Sequence, residues 1–260
     1  MEAFLQRVSY YRKMFLTQFF LMVSVSYGLI LAVVLRPWGK SLLSISIAGR
    51  LFYRLVRWTT GIRVQVVEGA ERLQLREAVF VANHQSELDI FIFSGIIPKY
   101  CTLAAKSDLK AVPIIGWFLC ATETLFVDFK NSKSTIDAFK KAAIELRRRR
   151  HGVFIFPEGE RSFFLKPNLL PFKKGAFHLA VQAQVPIVPI VASNYADIAE
   201  KRSKTLRPGK ILVKVMEPID TRNFTAADVE GLRTRTREKM LQEVLSLTAQ
   251  GNPIPHPQAG

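Results

Sequence analysis

The chain has 260 residues, 49% of them hydrophobic, with 37 Lys and Arg against 21 Asp and Glu for a formal charge of +16. That length suits one full domain with a leader better than two domains, and the charge points to an anionic partner: nucleic acid, an acidic membrane surface or a phosphorylated small molecule. Nucleic acid is set aside because no zinc finger, RNP-like aromatic pair or basic leucine zipper is present, and Cys101 and Cys120 form neither a disulfide framework nor a zinc site and read as two buried thiols in a reducing compartment.

Met14 to Leu35 is a run of 22 residues without a charge, long enough to cross a hydrocarbon core of about 30 Å as a helix. Arg7, Arg12 and Lys13 precede it, and Arg36 and Lys40 follow it, so the positive-inside rule does not orient it. The run exceeds a signal-peptide core and lacks a clear small-residue cleavage site after it. From Ser41 to Thr60, Arg50, Arg54 and Arg57 recur three to four apart, the pattern of a helix lying at or re-entering from a lipid interface. Residues 1–60 are therefore expected to be membrane-associated helices, either one spanning helix or a helical hairpin. A pair of ordinary buried helices is the competing reading.

Beyond Gly61 the pattern changes. Ile62 to Gly69 alternates with period two, as an exposed-face strand does, while Ala78 to Asn83 is a short apolar run of the fully buried kind. Further strands are predicted at Leu125–Val127, Val153–Phe156, Ile187–Val191 and Ile211–Val215. Ser134 to Arg150 places Ile136, Phe139, Ala143 and Leu146 on one helical face, and a later helix is predicted from about Ala226 to Leu247. Strands alternating with helices predict an α/β domain over 61–250, a central sheet covered by helices. The proline-rich segment 251–260 is predicted to be a disordered tail.

Three segments can carry chemistry. Asn83-His84-Gln85-Ser86-Glu87-Leu88-Asp89 follows a buried strand, where α/β proteins commonly present reactive groups. His84, one of four histidines, titrates near neutrality and can take a proton from a hydroxyl; Asp89 can hold its other ring nitrogen. Within one continuous helix a spacing of five separates two side chains by roughly 140°, so a contact requires His84 to precede the helix and the chain to bend back. In isolation the pair is weak evidence, and a capped helix with a solvated histidine is the plainer explanation. Phe156 to Ser162 also follows an apolar strand; Pro157 and Gly159 shape a turn and Arg161 offers a fork suited to a phosphate monoester, the plain alternative being a surface turn with an ion pair. Lys173 and Lys174 add charge before a probable helix in which His178 reads as structural. In Ala104 to Gly116, Lys106 is placed either to meet a phosphate or to snorkel at an interface.

These motifs together resemble the glycerolipid acyltransferase family, specifically its 1-acyl-sn-glycerol-3-phosphate acyltransferases of the fungal or another eukaryotic branch. The carriers are NHQSELD with His84 and Asp89, FPEGERS at Phe156 to Ser162, and VPIVP at Val185 to Pro189. The resemblance implies a glycerolipid-acyltransferase-like fold and direct transfer from acyl-CoA, a cosubstrate rather than a cofactor, to the sn-2 hydroxyl of lysophosphatidic acid. His84 would be the general base, oriented by Asp89, with no metal and no acyl-enzyme on Ser86 or Cys101. It carries Glu158, Gly159 and Arg161 over as the acceptor-binding motif, with Lys106 as a further phosphate contact. Val185, Pro186, Ile187, Val188 and Pro189 would support the acyl region. It also implies a phospholipid membrane as partner, in the endoplasmic reticulum with the site facing the cytosol, or alternatively a bacterial inner membrane.

The chain departs from the family pattern at three places. Phe129 and Lys130 stand where the second motif usually ends in arginine, which removes a permanently charged phosphate donor. Glu160 replaces a common threonine beside Arg161, where it can repel a phosphate or pair with the arginine. Glu87 brings another carboxylate toward the catalytic pair. These positions are expected to modify the phosphate site and leave open another lysophospholipid or glycerol-3-phosphate as acceptor, another acyl carrier as donor, or an inactive lipid-binding scaffold.

Overall fold

The computed structural model describes residues 2–128 and 132–251. Phe129, Lys130 and the tail from 252 onward lie outside them, while Gly251, which the sequence assigned to that tail, is the last helical residue. The chain opens with two helices, α1 (Glu2–Leu35) and α2 (Leu43–Thr60), joined by a short 3-10 turn that closes at Gly39. Strands β1 (Ile62–Glu68) and β2 (Val79–Ala82) follow, then α3 (Asp89–Ser94), β3 (Cys101–Lys106), α4 (Ile115–Ala121), β4 (Leu125–Val127), α5 (Ser132–Arg149) and β5 (Gly152–Ile155). The remainder is α6 (Gly175–Ala183), β6 (Ile187–Ala192), a small hairpin of β7 (Ala199–Glu200) and β8 (Thr205–Leu206), β9 (Gly209–Val215) and α7 (Val229–Gly251).

Among the described residues seven strands form one sheet in the order β1-β9-β6-β2-β5-β3-β4, parallel throughout except where β6 meets β9. Burial on both faces explains the unbroken apolar run of β2. Phe80 and Ala82 join one core cluster with Phe52, Val56, Phe91 and Phe118, and Val79 and Val81 join the other with Phe139, Phe177 and Met240. The first face is covered by α1 to α4 and the second by α5, α6 and α7. Val25, Leu42, Ile45 and Phe52 belong to the same cluster as Phe80, so α1 and α2 are built into the core on that face of the sheet.

The helices follow their sequence spacing. In α7, Val229, Leu232, Thr236, Met240, Val244 and Leu247 are buried at three- and four-residue intervals, and a capping box between Thr225 and Asp228 starts the run as a 3-10 turn. The last turn of α5 carries Arg147, Arg148 and Arg149, which complements its negative end. Along α1, Phe4, Val8, Phe15, Phe19, Val23, Ile30 and Val34 are exposed. Among the described residues α1 is the one helix long and apolar enough to cross a membrane, and 22% of its apolar window is buried. The exposed apolar stripe suggests membrane association.

Two readings change. Cys101 to Lys106 forms a central strand that the sequence pattern did not show. Cys101 is buried, but Cys120 is exposed, because its position near the end of α4 turns away from the core that Phe118 and Leu119 enter. Pro189 sits inside a central strand. It is tolerated because β6 pairs with β2 there while its β9 ladder begins only at Ile190, and the Pro189 carbonyl still accepts from Met216 N at 2.8 Å.

Candidate active site

The connection leaving β2 runs over one face toward β3, and the connection leaving β5 runs over the other face toward β6. Adjacent parallel strands whose connections diverge leave a crevice at their carboxyl ends. His84 follows β2 into that crevice and Phe156 to Arg161 follow β5. Asn83, fully buried, ties the strand end to β6 by donating to Ala192 O and accepting from Ala192 N, at 3.0 and 2.9 Å.

His84 lies ahead of α3 and the chain does bend back. Its Nδ1 donates to Asp89 Oδ2 at 2.8 Å, which makes Nε2 the ring's basic nitrogen. The same carboxylate oxygen accepts the amides of Gln85 at 2.5 Å and Ser86 at 3.0 Å, while Oδ1 accepts from the Tyr195 hydroxyl at 2.7 Å. Asp89 is fully buried, and these four donors compensate its charge. Tyr195 Oη and Ser86 Oγ are 3.0 Å apart; since the tyrosine proton goes to Asp89, the serine proton is directed to Tyr195. The imidazole stacks on Phe156, with centroids 4.0 Å apart and planes 12° from parallel. Orientation of His84 is thus set by one hydrogen bond and one ring.

Glu158 lies behind the site and not on its open side. It is 1% exposed, and its two oxygens accept from His84 N at 2.7 Å and Leu170 N at 2.8 Å. Burial pushes its carboxyl up to about 7. Gly159 supplies the left-handed residue (φ 76°) that closes the Phe156 turn. Ser162 N and Phe163 N then donate to His84 O and Gln85 O at 2.9 and 3.0 Å. The two motifs are therefore stitched together through their backbones, and the amides of His84, Gln85 and Ser86 are all taken by carboxylates.

A cavity of about 1090 Å³ opens over the strand ends. His84, Lys106, Gly159, Glu160 and Arg161 line it together with Lys173, Lys174 and His178, and its apolar wall includes Val25, Phe52, Phe93, Phe118 and Phe156. Lys106 is the last residue of β3 and exposed. Arg161 pairs with Glu87 at 3.3 Å, and Glu87 also meets Lys201 at 3.5 Å. The neighbour Glu160 has no ion pair with Arg161 among the described residues. Val185 and Ile187 are buried on the α5–α6 face and Val188 on the α1–α4 face. With Pro186 and Pro189 they stand outside the cavity wall, beneath the loop that Asn83 holds.

Neither alternative nucleophile is poised. The Cys101 thiol is buried and burial raises it well above its ordinary value, and the Ser86 proton is committed to Tyr195. Tyr195 itself escaped the sequence reading, since nothing local marks a tyrosine 106 positions from its aspartate. Phe156 was visible as a motif residue, but its stacking was not.

Residues 64–193 match the Acyltransferase family. The 1-acyl-sn-glycerol-3-phosphate acyltransferase of Saccharomyces cerevisiae is 37% identical over 215 residues, covering 83% of this chain and 71% of that protein. The human 1-acyl-sn-glycerol-3-phosphate acyltransferase alpha is 36% identical over 203 residues, 78% of this chain and 71% of its own length. The crystal structure of the 1-acyl-sn-glycerophosphate (LPA) acyltransferase PlsC from Thermotoga maritima superposes with a TM-score of 0.73 at 26% identity, covering 95% of this chain and 97% of that one. With the motif residues brought together at the strand ends and relatives matched over most of its length, the chain belongs to the acyltransferase family.

Proposed function

We propose that the protein transfers an acyl group from acyl-CoA to the sn-2 hydroxyl of 1-acyl-sn-glycerol-3-phosphate, forming phosphatidic acid and CoA. The observation that carries this reading is the His84–Asp89 pair on the wall of a cavity that is cationic on one side and apolar on the other. Nε2 of His84 takes the hydroxyl proton as the oxygen attacks the thioester carbonyl. Asp89 stabilises the resulting imidazolium, and the tetrahedral intermediate collapses by expelling the CoA thiolate, which recovers the proton from His84. Arg161 and Lys106 receive the acceptor phosphate, and the apolar wall against α1, α2 and α4 receives the acyl chain. Glu158 acts from behind, bracing the His84 amide. No cofactor enters any step.

We place the reaction at a membrane, with the exposed stripe of α1 in contact with lipid. An endoplasmic-reticulum location with the site facing the cytosol agrees with the eukaryotic relatives named above. The test is an assay of purified full-length protein across acyl-CoA donors and lysophospholipid acceptors, with products identified by mass. Phosphatidic acid formed from lysophosphatidic acid, and lost in His84→Ala with the fold retained, is the expected result. Unchanged turnover in His84→Ala refutes the mechanism, and preference for a different acceptor refutes the substrate assignment.

A further inference from the structure

A second pocket, of about 410 Å³, lies at the opposite end of the sheet. Its residues precede strands instead of following them: Arg76 comes before β2, Tyr100 immediately before β3 and His151 immediately before β5. Arg148 and Arg149 enter from the last turn of α5, and the turn between α1 and α2 closes the remaining side with Gly39, Ser41 and Leu42. The catalytic cavity uses the carboxyl ends of these strands, so the length of the strands separates the two.

Two observations mark it as a binding site. Three guanidinium groups converge on it. Arg76 lies over the Tyr100 ring, 4.3 Å from its centroid, and makes no ion pair among the described residues. Tyr100 reaches that position with φ 53°, a conformation costly for a bulky side chain. Arg148 and Arg149 are held by Glu145, at 2.8 Å each, and Arg149 also by Glu123 at 2.5 Å. These pairs are exposed and weak enough to be shared with an incoming anion. Separately, His151 is only 6% exposed, and its buried Nδ1 has no hydrogen-bond partner among the described residues. A buried imidazole nitrogen without a partner carries an uncompensated desolvation cost.

We propose that this pocket binds the phosphate of an anionic phospholipid headgroup. Guanidinium forks match a phosphate's oxygens, and His151 lines the same wall. A lipid source is favoured over a free phosphate by what borders the pocket. Val33, Val34 and Trp38, 60%, 53% and 67% exposed, project from the end of α1 and from the turn that forms the wall. When this apolar end enters the bilayer, the pocket sits at headgroup depth. The site thus anchors the end of the protein remote from the chemistry and senses anionic lipid independently of the substrate.

The test uses full-length protein and the double variant R76Q/R148Q, both positions being exposed. Binding is compared on vesicles of phosphatidylcholine alone and with about one-fifth phosphatidylglycerol, and we expect the variant to lose about tenfold of the preference for the anionic vesicles. R235Q/K239Q, an equal charge loss on α7 across the sheet, keeps that preference. In ¹⁵N-histidine-labelled protein the His151 signal is followed as dihexanoylphosphatidylglycerol or inorganic phosphate is added. Saturation by the lipid at lower concentration supports the proposal, whereas equal or tighter saturation by phosphate overturns the lipid assignment. A His151 signal unmoved by both probes, or a vesicle preference that survives R76Q/R148Q, overturns the site. Turnover of R76Q/R148Q on detergent-dispersed substrates stays at the wild-type level, which separates this outcome from any failure of the catalytic reading.

Discussion

Asp89→Asn separates the charge of the buried carboxylate from its hydrogen bonds. The asparagine amide oxygen can take the place of Oδ2 and accept from His84 Nδ1, Gln85 N and Ser86 N. Its amide nitrogen can take the place of Oδ1 and donate to Tyr195, whose own proton then turns toward Ser86. The bonding pattern survives, and we expect thermal unfolding close to wild type. What disappears is the negative charge facing an imidazolium during transfer. With charge centres roughly 4 Å apart and an effective dielectric of about 20, that attraction is about 4 kcal/mol, equivalent to about a thousandfold in kcat. Initial rates of acyl transfer to lysophosphatidic acid, on protein whose unfolding temperature has been checked, measure the effect. A folded Asp89→Asn enzyme within about fivefold of the wild-type kcat would show that the charge is not used. Asp89→Ala offers the contrast: it removes the acceptor of four donors, two of them fully buried, each buried loss costing about 1–3 kcal/mol, and the loop itself should come apart.

Tyr195→Phe removes one buried hydrogen bond to a carboxylate, worth about 1.5–3 kcal/mol; we expect a lower unfolding temperature and about a tenfold lower kcat, and no change in either means the hydroxyl does not hold Asp89. Glu87→Gln frees Arg161 from an exposed ion pair worth about 0.2–1 kcal/mol, so the acceptor KM should fall up to about fivefold at constant kcat; a rise would show that Glu87 assists binding. For Glu158 the folded carboxyl, raised to about 7 from 4.5, binds more protons than the unfolded one between those values. Stability contributed by this group therefore falls as pH rises through that window, by about 3 kcal/mol in all. Glu158→Gln should flatten that part of the pH–stability profile measured by thermal unfolding in detergent between pH 4 and 8; a slope identical to wild type refutes the assignment.

Elements whose signal is local were legible in the chain. The apolar run of α1, the alternation of β1, the stripes of α5 and α7 and the buried runs of β2, β5 and β6 each depend on a period read within one segment. The His84–Asp89 spacing likewise carries its own constraint, because five residues bring those side chains together only if the helix starts after the histidine, as α3 does. β3 lacked such a signal. Cys-Thr-Leu-Ala-Ala-Lys shows neither alternation nor a continuous bulky run, and it becomes a central strand because β5 and β4 flank it.

Partners chosen across the sheet were beyond any local pattern. The order β6-β2-β5-β3 brings Tyr195 to Asp89, Phe156 to His84 and Glu158 to the His84 amide. The same packing turns Glu158 away from solvent and gives Arg161 the carboxylate of Glu87 in preference to that of its neighbour Glu160. Composition and short-range spacing determined which residues could be reactive. Only the tertiary structure decided what each one faces, because a buried charge is settled by the donors that reach it, and those arrive from strands far apart in the chain.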